Sequence, residues 1–227
     1  MSDVLIIEQT STQSNVSAVP EVAKGFGEVV ETSLTSYIAQ CFELDRPPPF
    51  GGLVRVNDRE KRCVIYGVVY HIATGGIDPT RRAAVRTPSN ANATDEQVYN
   101  ANPQLARLLK TEFGVVVLGC RRISPDGEIG RIQYIFPDYP PPLHFSVHFC
   151  DEDELIEFTE QPNYLRTLIN AAQAPVEELT AALLRRGTEA RGDTGREWLV
   201  DTGRALARLL KEDYDKLRTI LEKCEGV

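Results

Sequence analysis

Apolar and polar positions change their period along this chain, and the changes divide it. From Gly25 to Thr74 the pattern is that of strands. Phe26–Val30 predicts a first strand and Thr35–Phe42 a second, with Ser33 and Leu34 between them as in a hairpin. Pro47, Pro48 and Pro49 end the second, because proline has no amide donor and pushes the residue before it toward extended backbone. Gly51 and Gly52 supply a bend, Leu53–Val56 a third strand, and Asn57 with Asp58 a turn. The fourth strand, Arg62–Ile72, is apolar on both alternating sets, Cys63, Ile65 and Val69 against Val64, Tyr66 and Val68. A barrel strand with a wet exterior would alternate, so the outer face needs a cover, either the chain's own C-terminal helices or a second subunit. Gly67 inside the run predicts a bulge or a sharp bend.

Residues 75–97 form a long connection carrying Arg81, Arg82 and Arg86, and long loops of this kind are often functional. Asn102 and Pro103 introduce a short helix over Gln104–Thr111. Gly114–Cys120 and Ile129–Ile135 then read as a hairpin around a turn at Ser124–Gly127. Six strands by residue 135 are enough to close a small barrel. The proline-rich stretch 136–142 ends it, and Leu143–Cys150 is extended. Beyond it the period becomes helical. Asp151 and Glu154 form a capping box for a helix toward Phe158, Asn163–Gln173 is a second helix, and Pro175 opens a third. Thr194 with Glu197 begins one long helix to about Cys224. The fold class is therefore α+β: a small closed antiparallel β-barrel of about six strands followed by a C-terminal α-helical region. The expected division is an arm at 1–24, the barrel with its inserted loop and short helix at 25–135, a connection at 136–150 and helices at 151–227.

Composition narrows the function. A chain of 227 residues, 42% of them hydrophobic, can bury a sizeable core. A net charge of −8 argues against a dedicated nucleic-acid binder, which needs clustered Lys and Arg for phosphate. Most of the excess acid lies beyond residue 150. Residues 8–20 are too polar to repay ordering and read as a flexible arm. Val4–Ile7 lacks the basic segment and long apolar region of a secretory signal, and no stretch approaches the ~20 apolar residues of a membrane span. Five widely spaced cysteines, an odd number without a CxxC pair, suit a reduced cytoplasmic protein.

The order Gly25–Val30, Thr35–Gln40, Pro49–Val56, Val64–Val69, Pro103–Ala106 and Val115–Gly119 resembles the HAS barrel. This small β-barrel is shared by HerA-type translocases and rotary ATP synthase subunits, and a stand-alone form is typical of uncharacterised cyanobacterial proteins. The resemblance covers roughly Gly25–Arg122 and rests on spaced glycines and β-branched residues. It implies a barrel used for ring assembly or partner docking. The chain has no GxxxxGK[ST] motif, so the phosphate cradle of the ATPase relatives is missing and ATP hydrolysis is not implied.

The reactive-looking residues read blandly. In a strand His144, Ser146, His148 and Cys150 share one face, but residues four apart stand ~13 Å from each other, too far to bind one metal directly. Cys150 or Cys63 with His71 lacks an oxyanion hole or an orienting carboxylate. Asp151–Glu154 suits a helix N-terminus better than a cation site. Arg81, Arg82, Arg86, Arg121 and Arg122 have no interleaved aromatics for stacking bases. No catalytic residue, metal or cofactor is expected. The reading is a non-catalytic protein-interaction or assembly module, docking a protein partner or forming a homo-oligomer, with contacts at Tyr66, Tyr70, Arg81, Arg82, Arg86 and Trp198. The alternative is an accessory factor of a nucleic-acid-processing complex of translocase or nuclease type.

Overall fold

The computed structural model describes residues 25–44, 46–60, 62–78, 94, 97, 100–103 and 105–224. The expected arm at 1–24 and Arg81, Arg82 and Arg86 lie outside them. The strands are β1 (Gly27–Thr32), β2 (Ser36–Cys41), β3 (Leu53–Asn57), β4 (Cys63–Gly76), β5 (Leu109–Ile123), β6 (Ile129–Gln133) and β7 (Ser146–Phe149). They form one antiparallel sheet in the order β2-β1-β7-β3-β4-β5-β6, and a further β2–β5 pairing closes its first six members into a barrel. Strand β6 hangs from the outside of β5.

The extended segment expected at Leu143–Cys150 is more than a connection. Its strand β7 lies between β1 and β3, pairing Gly27 with Val147 and Arg55 with His148. Pro47–Pro49 keep the chain between β2 and β3 from regular pairing, and Gly51, at φ +75°, turns it into β3.

β4 and β5 are longer than the pattern suggested and pair along their whole length, with register shifts at Tyr66/Gly67 and Val69/His71. The shift at Gly67 is the expected bulge. A Cβ there would lie 2.5 Å from Val115 Cγ1 and 2.6 Å from the Val116 carbonyl oxygen, so only glycine allows the strands to approach. The helix expected over Gln104–Thr111 is only α1 (Leu105–Leu108). Lys110, Thr111 and Glu112 instead pair with Gly75, Thr74 and Ala73, and the Thr74 and Thr111 hydroxyls hydrogen-bond at 2.7 Å. Leu105, Leu108 and Leu109 have helical spacing, but Leu108 stays exposed, so burial at that position does not reward a longer helix.

Five helices follow among the described residues: α2 (Glu152–Thr159), α3 (Tyr164–Ile169), α4 (Val176–Ala190), α5 (Gly195–Leu209) and α6 (Tyr214–Glu222). The Asp151 side chain accepts from the Glu154 amide at 2.8 Å and starts α2 as expected. The single long C-terminal helix is two. Asp213 accepts from the Lys216 amide at 3.1 Å, which begins α6 afresh after the chain leaves α5 at Leu210. Thr194 caps nothing with its side chain, because its hydroxyl donates to the Arg191 carbonyl oxygen at 3.1 Å.

The doubly apolar β4 serves two cores. Ile65 and Val69 point into the barrel with Val29, Val54, Phe113 and Val147, while Val64, Tyr66 and Val68 point outward beneath the helices. The cover is thus intramolecular. Phe158 of α2 is fully buried against Tyr66, with ring centroids 5.3 Å apart, and Leu165, Leu179, Leu183 and Leu184 extend the layer. Each such side chain contributes about 1.5–3 kcal/mol by leaving water. Among the described residues no helix is long and apolar enough to cross a membrane.

Candidate functional site

Three of the six expected contact residues are described, and the fold uses them internally. Tyr66 is 2% exposed, and burial pushes its phenol up to about 12 against the opposing Arg121 guanidinium. Tyr70 is half-buried and packs against the helix-facing core. Trp198 is also half-buried; its indole N–H donates to the Thr159 carbonyl oxygen at 3.1 Å, and the Arg191 guanidinium lies 4.1 Å from the ring centre. An amphipathic stripe read from sequence does not distinguish a surface awaiting a partner from one covered by the chain itself.

The expected chemical constellations are separated too. His144 has φ +65°, lies outside β7 and is exposed, with Nδ1 2.5 Å from Glu28 Oε1. Cys150 sits under the helices, where burial pushes its thiol upward. Cys63 and His71 are eight residues apart on one strand, roughly 26 Å, and His71 is exposed. Glu154, in the acidic run, meets Arg55 Nε at 2.9 Å. Arg121 is buried and paired with Glu157, whereas Arg122 is exposed and bridges to Asp138 at 2.9 Å. Neighbouring positions on a strand face opposite sides, so these two arginines do not add to one patch.

What the fold brings together instead is one end of the barrel and the edge strand beside it. Where β3 ends, β4 begins and β5 ends, a cavity of about 720 Å³ opens between Asp58–Glu60 and the proline strap at Pro137–Pro142. Ile65, Cys63 and Cys120 line it from the barrel, and Arg62, Arg122 and Asp138 give it charge. Cys63 and Cys120 are separated by most of two strands in sequence. The β4–β5 register sets Ile65 opposite Cys120 and Cys63 opposite Arg122, so the two thiols are diagonal neighbours on one face. The two thiols act on each other: Cys63, with help from Arg122, lowers the Cys120 thiol to about 7, and Cys120 raises Cys63 well above the usual thiol range, while Cys63 Sγ donates to the Val64 carbonyl oxygen at 3.9 Å. Sequence reading treated each cysteine singly; only the strand register reveals the pair.

Beside the cavity, β6 pairs among the described residues with β5 alone, through Cys120 with Gln133, Arg121 with Ile132 and Ile123 with Ile129, and no described strand lies on its other edge. Ile129 is 69% exposed, and Ile135, Phe136 and Tyr139 continue the exposed apolar side chains past the strand. A second hollow, of about 730 Å³, lies at the C-terminal end of β6 between Tyr134, Ile135, Pro162 and Leu209. Arg166 of α3 and Arg208 of α5 line it, with no acid among the lining side chains. Both are exposed, and neither forms an ion pair among the described residues. No protein-family model matches the chain, and no curated protein matches it.

Proposed function

We propose that the chain is a non-catalytic interaction module built on a HAS-like barrel, and that it docks an extended, acidic segment of a protein partner along β6. The observation that carries this reading is the edge itself: an antiparallel strand with one partner among the described residues, exposed apolar side chains and a two-arginine hollow at its end. An added strand gains backbone hydrogen bonds along the open edge and seats alternate side chains beside Ile129 and Ile135. Arg166 and Arg208 favour acidic groups where that strand would run on, although the whole protein carries a net charge of −8. The helices already cover the outer face of β4, which removes that surface as the docking site.

Two fluorescein-labelled nine-residue peptides test this, one alternating Val with Glu and the other Val with Lys, titrated against the full chain by fluorescence anisotropy. The Glu peptide should bind at least tenfold more tightly. Ile129→Asp should abolish its binding, and Arg166→Glu with Arg208→Glu should reverse the preference. Equal binding of both peptides, or binding indifferent to Ile129→Asp, overturns the reading. Light scattering that shows a dimer dispersed by Ile129→Asp replaces partner docking with self-association.

A further inference from the structure

Of the five cysteines, Cys41 is enclosed in the barrel, Cys150 and Cys224 are enclosed under the helices, and Cys63 and Cys120 share the cavity at the barrel end. Cys120 is 1% exposed at the cavity wall, and Cys63 is partly open to it. A small solute entering between Asp58–Glu60 and the proline strap therefore meets Cys63 first, with Cys120 behind it in the cavity wall. We propose that Cys63 and Cys120 form a two-coordinate binding site for a soft monovalent metal ion of the copper(I) class.

Three features of the structure select that ligand. First, the donor set is two sulfurs: among the described residues no group of three or more Cys, His, Asp or Glu side chains is placed to hold a metal. Zinc at a structural site takes four ligands and would lack half of them here, whereas copper(I) favours thiolates and accepts two in a line. Second, the register separates the two backbones too far for easy direct bonding. Diagonal neighbours across an antiparallel pair stand roughly 7–8 Å apart, beyond the ~4.4–6.8 Å between α-carbons usual for a disulfide. An ion held between two thiolates joins the sulfurs without an S–S bond, so the backbones need not approach to disulfide distance. Third, Arg122 lies opposite Cys63 and lines the same cavity, so a cation stands beside the negative bis-thiolate complex, even though its guanidinium also bridges to Asp138 at 2.9 Å. On binding, two sulfur–metal bonds form, thiol protons leave to water, and no electrons are exchanged.

The site is independent of peptide docking on β6 and is tested separately. The reduced full chain is titrated anaerobically with copper(I) against bicinchoninate, whose coloured complex reports the copper that the protein does not hold. One equivalent should be withdrawn from the competitor. Cys63→Ser and Cys120→Ser should each weaken binding at least 100-fold, and Cys41→Ser should leave it unchanged. X-ray absorption of the loaded protein should show two sulfur neighbours. If Cys120→Ser fails to fold, the partly exposed Cys63→Ser carries the comparison, with its thermal melt as the folding control. Failure to compete with bicinchoninate, binding that survives Cys63→Ser, or a shell of three or four sulfurs overturns the proposal. So does a Cys63–Cys120 disulfide forming on mild air exposure, which would make the pair a redox couple.

Discussion

The outer face of β4 and the free edge of β6 begin alike and end differently. Both present apolar side chains on the outside of the barrel: Val64, Tyr66 and Val68 on one, Ile129 and the following Ile135 and Phe136 on the other. The helices bury the first set to 9% exposure or less, while Ile129 remains 69% exposed. Hydrophobicity alone therefore did not decide which surface is available. Shape did, because α2 to α4 fill the hollow over β4 and β5 and reach only Ile132 of β6 and Tyr134 beyond it, leaving Ile129 uncovered.

The sharpest way to break this contrast is to cut into the covered side. Phe158→Ala removes a fully buried ring that touches Tyr66, Tyr134 and Tyr164, and should cost about 3–5 kcal/mol in urea unfolding. A loss below about 1 kcal/mol would mean that the helices sit loosely on the barrel. Gly67→Ala tests the same ribbon from its backbone. With contacts at 2.5 and 2.6 Å awaiting the new methyl, it should destabilise by about 1–3 kcal/mol.

Alkaline titration provides a milder probe of the cover. The buried Tyr66 phenol holds its proton up to about 12, while in the unfolded chain it ionises near its ordinary value of about 10. Between those values the folded state binds more protons than the unfolded one, so stability falls as pH rises through that window. Tyr66→Phe should flatten this part of the fall in thermal melting temperature; an unchanged slope would place the ring in contact with water. The smallest effect belongs to the open side. Ile129→Ser should shift unfolding by no more than about 0.5 kcal/mol, and a larger loss would show that the edge is already packed.

Much of the fold was readable because its signals are local. The Asp151 cap, the Pro47–Pro49 break and the bulge at Gly67 each depend on a few neighbouring residues. The split between α5 and α6 escaped because Lys211, Glu212 and Asp213 suit a helix interior as well as a boundary, and only the Asp213 hydrogen bond shows that a new helix starts there. Expected contacts at Tyr66 and Trp198 became internal ones for a similar reason: a side chain that suits an interface also suits a core.

By itself the sequence determined the succession of strands and helices and the need of β4 for a cover on both faces, since side-chain period and backbone preference act over a few residues. Tertiary structure alone decided that β7 lies between β1 and β3, that the cover comes from the same chain, that Cys63 meets Cys120 and that β6 is left open. These outcomes depend on strand register and on which surfaces fit together across long stretches of chain, and no short-range pattern contains that information.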